Sequence, residues 1–391
     1  MGTTGEQELA GPALRERLFA DVAGLAAIDD RRTTRPGERR AAVWISDRLA
    51  ELGATDIRLT SFRGASTWTL SHGAYGVAGL LAALAGGRAG RLLALAALAS
   101  YEADVTGRNR WIRRLLPRGH GATVEARISA RGEPRRTLVL TAHHDAAHMG
   151  WVWHPRAVAA NRRRLARAGR ATPSYAAPVA ALLAAASGVR ALRRLAAGTF
   201  TVLLGLYAQS ARSATTPGAN DNATGVATVL ELARRLAAEP LGETDVVLVF
   251  PGGEEAGSAG MSEWLRDAGD RLDPWSTLVV AFDSTGSGGE LCTSIRDGFT
   301  GHFRRQDLAL LPAAAEAAGI APPREITFFN PTDACTARQH GLRALLITSL
   351  EDGWISNLHR PEDRAGNVDL DTVEQAVALG ASLANRWDGE R

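Results

Sequence analysis

Four short apolar runs constrain this chain more than any other feature: RTLVLT (136–141), TDVVLVF (244–250), STLVVAF (276–282) and LRALLITS (342–349). Runs without polar alternation suit strands covered by helices on both faces of a sheet. Amphipathic stretches such as GVATVLELARRLAAE (225–239) separate them. Strands alternating with helices give an α/β fold with three layers, α/β/α, around a mixed, mostly parallel central sheet. TDIRLTSF (55–62) and ATVEARISA (122–130) are further strand candidates, and 12–28 and 37–53 carry helical periodicity, the second stopped by Gly53. The expectation is a single domain over residues 1–391. In such folds functional groups gather at the carboxyl ends of strands, which is where His143, Glu254 and Asp283 fall.

Two stretches break that rhythm. Residues 69–118 contain YGVAGLLAALAGGRAGRLLALAALASY, and residues 146–214 contain YAAPVAALLAAASGVRALRRLAAGTFTVLLGLYA. Each reads as a pair of apolar helices joined by an arginine-containing turn, and both read as helical insertions in the α/β body. The second holds ten arginines and no Asp or Glu; against a chain total of +3, the remainder is near −7. Individual apolar runs fall short of the ~20 residues a spanning helix needs. Two readings stay open: a packed soluble cap, or contact with an anionic membrane surface through 69–118 and 146–214, with Trp151, Trp153 and Arg162–Arg164 nearby.

The charge of +3 is too small to argue for nucleic acid, and no basic block is interleaved with aromatics. Two cysteines, Cys292 and Cys335, give no disulfide framework or zinc-finger spacing. The first twenty residues lack the basic, apolar and cleavage regions of a signal peptide, so a cytoplasmic enzyme, attached to the membrane or free, is expected. Oligomeric state is not legible.

FPGGEEAGSAG (250–260) sets Glu254 beside Glu255 just past an apolar strand. Adjacent carboxylates repel unless a cation lies near, although a helix N-terminus would also suit them. His143 precedes Asp145 by two residues, on one side of a strand of period two, and a metal-bound histidine commonly gives its other N–H to a carboxylate. His144 points the other way, as a structural or surface residue. Asp221, in PGANDNATGV, could bridge two metal ions, or it or Asn222 could cap the following helix. Asp283 directly follows the strand candidate STLVVAF, and His359 sits in NLHRPEDR with Asp363 four residues on.

In that order, His-x-Asp, Asp-Asn, Glu-Glu, Asp and His, the chain resembles the M28 metallopeptidases, the co-catalytic zinc aminopeptidases with a zinc-exopeptidase-like fold. The resemblance covers most of the chain but not the two insertions. It implies that His143 and Asp283 bind one metal, Glu255 and His359 the other, and that Asp221 bridges both. It implies Glu254 as general base, with Asp145 completing the catalytic set. Five N/O ligands without a thiolate suit two Zn²⁺ ions, with Mn²⁺ or Co²⁺ as alternatives. Two ions about 3.5–4 Å apart lower the pKa of a shared water and clamp the tetrahedral intermediate. The implied substrate is a peptide or a small aminoacyl compound.

Leu358 stands where the family often has an aromatic residue, Ser258 replaces a usual leucine, and the late Ser-Asp-His survives only as Asp333 in PTDACTARQHG. These departures bear on the substrate pocket rather than on metal binding. Competing readings are a single-zinc glutaminyl cyclase-like acyltransferase and a non-catalytic, membrane-associated binding protein of the same fold.

Overall fold

The computed structural model describes residues 12–168 and 171–390. The signal-peptide expectation falls largely on residues 1–11, and the second insertion includes residues 169–170; both stretches lie outside the described residues. The strands are β1 (Thr55–Gly64), β2 (Gly119–Ile128), β3 (Arg136–Thr141), β4 (Thr244–Phe250), β5 (Thr277–Phe282), β6 (Glu290–Asp297), β7 (Gly301–His302), β8 (Arg324–Phe328) and β9 (Arg343–Leu350). They form one sheet in the order β1-β2-β4-β3-β5-β9-β6-β7, with β8 also on β6. The middle, β4-β3-β5-β9, is parallel; β1 and β2 join it antiparallel on one side and β6 on the other. The fold is therefore α/β with a mixed central sheet.

Helices α1 (Pro12–Ala26), α2 (Pro36–Glu51), α3 (Thr69–Ala85), α4 (Gly87–Val105), α5 (Trp111–Leu115), α6 (Pro155–Ala168), α7 (Ala176–Ala186), α8 (Arg190–Ser210), α9 (Thr224–Ala238), α10 (Ala259–Ala268), α11 (Leu311–Ala317), α12 (Asp333–Gln339) and α13 (Leu370–Asp388) complete the chain, short helical turns aside. Every residue of β5 and β9 is buried, as the unbroken apolar runs require. Their side chains join one core with α1, α2, α9, α10 and α13.

Helices α3, α4, α7 and α8 pack on one another around a second apolar cluster, which holds Ala82, Ala94, Leu182 and Phe200. Small residues there let the helices approach closely. At the base of this unit the Trp68 and Tyr207 rings meet edge to face at 5.4 Å, and Tyr101 and Tyr175 do so at 5.8 Å. The far end consists of two turns. Arg193 donates to the carbonyls of Ala83 and Leu84 at the end of α3, and Arg91 donates to Ala186 at the end of α7, so each hairpin caps the other. Gly86 sits at φ +61, and a Cβ there would strike the Arg193 guanidinium at 2.1 Å. No helix among the described residues is long and apolar enough to cross a membrane.

Candidate metal centre

The parallel strands end on one side of the sheet, and the polar residues singled out above gather there. Strand β3 stops at Thr141, so His143 and Asp145 lie beyond it rather than on it. The alternation outlasts the strand because Ala142 and His144 still donate backbone N–H groups to Val249 and Pro251. His143 and Asp145 consequently share a side, with His143 Nδ1 3.5 Å from Asp145 Oδ1. His144 is buried against the body, and the guanidinium of buried Arg31 donates to its carbonyl at 2.7 Å.

Asp145 does more than face His143. Its carboxylate accepts from Thr33 Oγ1 at 2.7 Å and from the backbone N–H groups of Glu254 and Glu255 at 3.1 and 3.2 Å. One buried carboxylate thus faces the histidine and holds the backbone of the glutamate pair. The loop carrying the pair must turn at once: Gly253 has φ +74, a conformation costly for other residues. The loop is held from its outer side by Arg110, which donates to Ser258 O at 2.7 Å, and by Arg113, which donates to Ala256 O.

Asp221 lies in a tight turn, Ala219–Ala223, whose Asp221–Asn222 peptide is cis. Asn222, two residues before the following helix, accepts through its side-chain oxygen from Gly225 N and Ser284 N at 3.0 Å each. That frees the Asp221 carboxylate. Its backbone is held by Asp363, which accepts from Asn220 N at 2.6 Å and Asp221 N at 3.2 Å. His359 has φ +54, and its ring packs at 4.4 Å against Trp153.

The result is two donor triads that share one residue. His143, Asp221 and Asp283 bring donor atoms within 4.8 Å of one another, and so do Asp221, Glu255 and His359. Asp221 Oδ1 is 3.3 Å from His143 Nε2, and its Oδ2 is 3.0 Å from His359 Nε2; Glu255 Oε1 is 3.2 Å from the same His359 nitrogen. Glu254 is in neither triad. It lies with Glu255 and His359 on the wall of a cavity of about 400 Å³, walled elsewhere by Trp68, Trp153 and Tyr207.

The electrostatics follow from burial and from the crowding of carboxylates around two histidines. Burial works against protonating His359, yet Glu255 and Asp221 outweigh it and raise its pKa to about 10. His143 is likewise raised well above an ordinary histidine, burial being overcome by Asp145 and Asp221. Burial pushes Glu255 up to about 7 and Asp283 to about 6, and it raises Glu254 well above an ordinary glutamate. Among the five donors Asp221 alone moves down, because its two histidine contacts overcome burial. Proton-holding histidines and carboxyls side by side mark a region short of positive charge. Five N/O donors facing inward in two overlapping triads fit divalent cations.

Asp333, at the start of α12, is buried close by, and burial lifts its pKa to about 7 with His143 opposing. Thr33 and Arg31 also support the site without having stood out in the sequence, and Trp153, noted there only for membrane contact, packs on His359 instead. Their partners lie more than a hundred residues away, and no local pattern marks them.

A family model, peptidase family M28, matches residues 123–384, well over half of the chain, and the chain belongs to this family. Among solved structures, a Zn-dependent exopeptidase from Parabacteroides distasonis aligns with TM-score 0.57 at 11% identity, over 95% of this chain and 97% of that one. The zinc aminopeptidase BSAP from Bacillus subtilis gives TM-score 0.57 at 14% identity, covering 94% of each chain. A glutaminyl cyclase from Bacteroides thetaiotaomicron gives TM-score 0.55 at 13% identity, over 95% of this chain and 97% of that one. No curated protein is significantly similar in sequence.

Proposed function

We propose that this chain is a di-zinc amide hydrolase acting on peptides, as an aminopeptidase. The observation that carries the reading is the pair of donor triads sharing Asp221, with an unshared carboxylate, Glu254, beside them on the cavity wall. In this reading His143 and Asp283 hold one ion, Glu255 and His359 the other, and Asp221 lies between. Bound zinc supplies the charge that acidifies a water and polarises the scissile carbonyl.

The chain's own residues supply the rest. Asp145 orients His143 and, through the backbone N–H groups of Glu254 and Glu255, keeps the pair facing the donors. Glu254, its pKa raised by burial, takes a proton from the attacking water and passes it to the leaving amine. The aromatic cavity wall excludes bulk water and limits the size of the group beside the scissile bond.

The cyclase-like alternative shares the fold. With a single ion it would leave one of the two triads unused. Metal analysis of the purified chain, run with aminoacyl chromogenic substrates and with free-amine and N-blocked peptides, tests the proposal. Two zinc ions per chain and hydrolysis of free-amine substrates are expected. One ion, or cyclisation of N-terminal glutamine without hydrolysis, would replace it by the cyclase-like reading.

A further inference from the structure

We propose that the tip of the four-helix unit docks on an anionic phospholipid bilayer. The inference is independent of the catalytic reading, because it rests on residues remote from the metal centre. Helices in a soluble bundle keep one apolar stripe inward and a polar face outward. Here the outer faces are apolar too: Leu84, Leu92 and Leu195 are 64%, 67% and 64% exposed, and Leu81, Leu183 and Val189 are exposed beside them. At 1.5 Å rise per residue these side chains lie within about 10 Å of the two turns. That matches the depth, about 5–10 Å, to which interfacial helices bury apolar faces.

Charge is sorted along the same axis. Arg88, Arg91, Arg190, Arg193 and Arg194 stand at the tip. No Asp or Glu occurs in 66–101 or 146–220. The first carboxylates along the chain after 66–101, Glu102 and Asp104, are at the base, where they accept from Thr300 and Arg113. The tip therefore carries uncompensated positive charge around exposed leucines, which complements an anionic headgroup layer.

The distribution also separates a bilayer from a protein partner. A second copy or a folded partner would cover one side of the bundle, whereas the exposed leucines come from all four helices and surround the tip. A bilayer surface can bury a tip from every side. No described helix is long and apolar enough to span, so the contact is shallow insertion.

The test uses the purified full chain and vesicles of phosphatidylcholine with and without phosphatidylglycerol. Co-sedimentation with the anionic vesicles is expected at low salt, with weakening as salt rises. At about 1 kcal/mol per arginine near the surface, the combined Arg88→Ser, Arg190→Ser and Arg194→Ser variant should bind on the order of 100-fold more weakly. The Leu84→Ser, Leu92→Ser and Leu195→Ser combination should also release the protein. Both variants should keep wild-type thermal unfolding and turnover of a soluble substrate, so that loss of binding is not loss of fold. Three results would overturn the proposal: no binding of the wild type to anionic vesicles, equal binding to neutral ones, or a wild-type oligomer that the leucine variant converts to monomer.

Discussion

The α/β body and the four-helix unit distribute polarity in opposite senses. The body buries charge: Asp145, Asp221, Asp363 and Arg31 all lie out of water at the ends of its strands. The unit exposes apolar surface and keeps carboxylates out of its distal half. Each departs from the usual arrangement of apolar inside and charged outside, and each departure is expensive unless something external completes it. For the body the partner that fits is a divalent cation; for the unit the proposed partner is an anionic apolar interface. The two regions meet at the cavity, whose wall combines His72, Leu203 and Tyr207 of the unit with Glu254, Glu255 and His359 of the body.

The largest effect should come from the body. Glu254→Gln removes the proposed general base while conserving shape, and turnover should fall by about 10²–10⁴-fold with metal content and thermal unfolding unchanged. Steady-state kinetics beside metal analysis decide it. Near-wild-type turnover with metal bound would take Glu254 out of the mechanism, and the body's buried charge would then need another explanation.

Phe200→Ala probes the other region. Phe200 is wholly buried in the second cluster, and its removal should cost about 3–5 kcal/mol of local packing. If the two regions differ as argued, denaturation followed by tryptophan fluorescence should show the unit weakened while zinc stays bound to the body. Loss of zinc in step with the unit would show that the regions melt together and would erase the contrast.

Much of this organisation is legible in the sequence, for identifiable reasons. The parallel strands and their helices are visible because burial on both sheet faces leaves unbroken apolar runs. The five donors are visible because each follows a strand or a glycine-rich turn and because their order resembles a known family. Strands β6, β7 and β8 are not: ELCTSIRD and REITF mix charged and apolar residues at the sheet's margin, and β7 is two residues long. The connections among the donors are hidden as well. That Asp145 holds the Glu254–Glu255 backbone, and Asp363 that of Asp221, depends on contacts across 109 to 143 residues. The outward apolar face of the unit is half legible, since runs such as APVAALLAAASGV lack a polar side but do not say which side is covered.

Asp145→Asn should have a smaller effect than loss of the base. An amide can still accept one of the backbone N–H groups, but it cannot draw the proton of His143 as a carboxylate does. Zinc affinity should fall by about 10–100-fold, as for other groups that orient a liganding histidine. A chelator competition measures this directly. Turnover at saturating zinc should recover most of its wild-type value, which a residue acting only as a structural brace would not predict. Unchanged affinity would mean that the 3.5 Å approach of Asp145 to His143 carries no coupling.

The smallest effect tests the unit's side of that contrast. A leucine at the surface of an ordinary domain covers part of its neighbours, and its loss is felt in the fold. Leu84 is 64% exposed at the end of α3, and its neighbours are held by the Arg193 cap through backbone carbonyls rather than through the leucine side chain. Leu84→Ser should therefore change stability by no more than about 0.5 kcal/mol, the range of surface substitutions that touch no special feature. Leu182, one residue before the exposed Leu183 and wholly buried between the hairpins, should cost about 2–5 kcal/mol when cut to alanine. Chemical denaturation of the two variants gives the ratio. A Leu84 effect approaching that of Leu182 would mean that the tip is packed in the free protein, and the leucines would be core rather than a surface waiting for a partner.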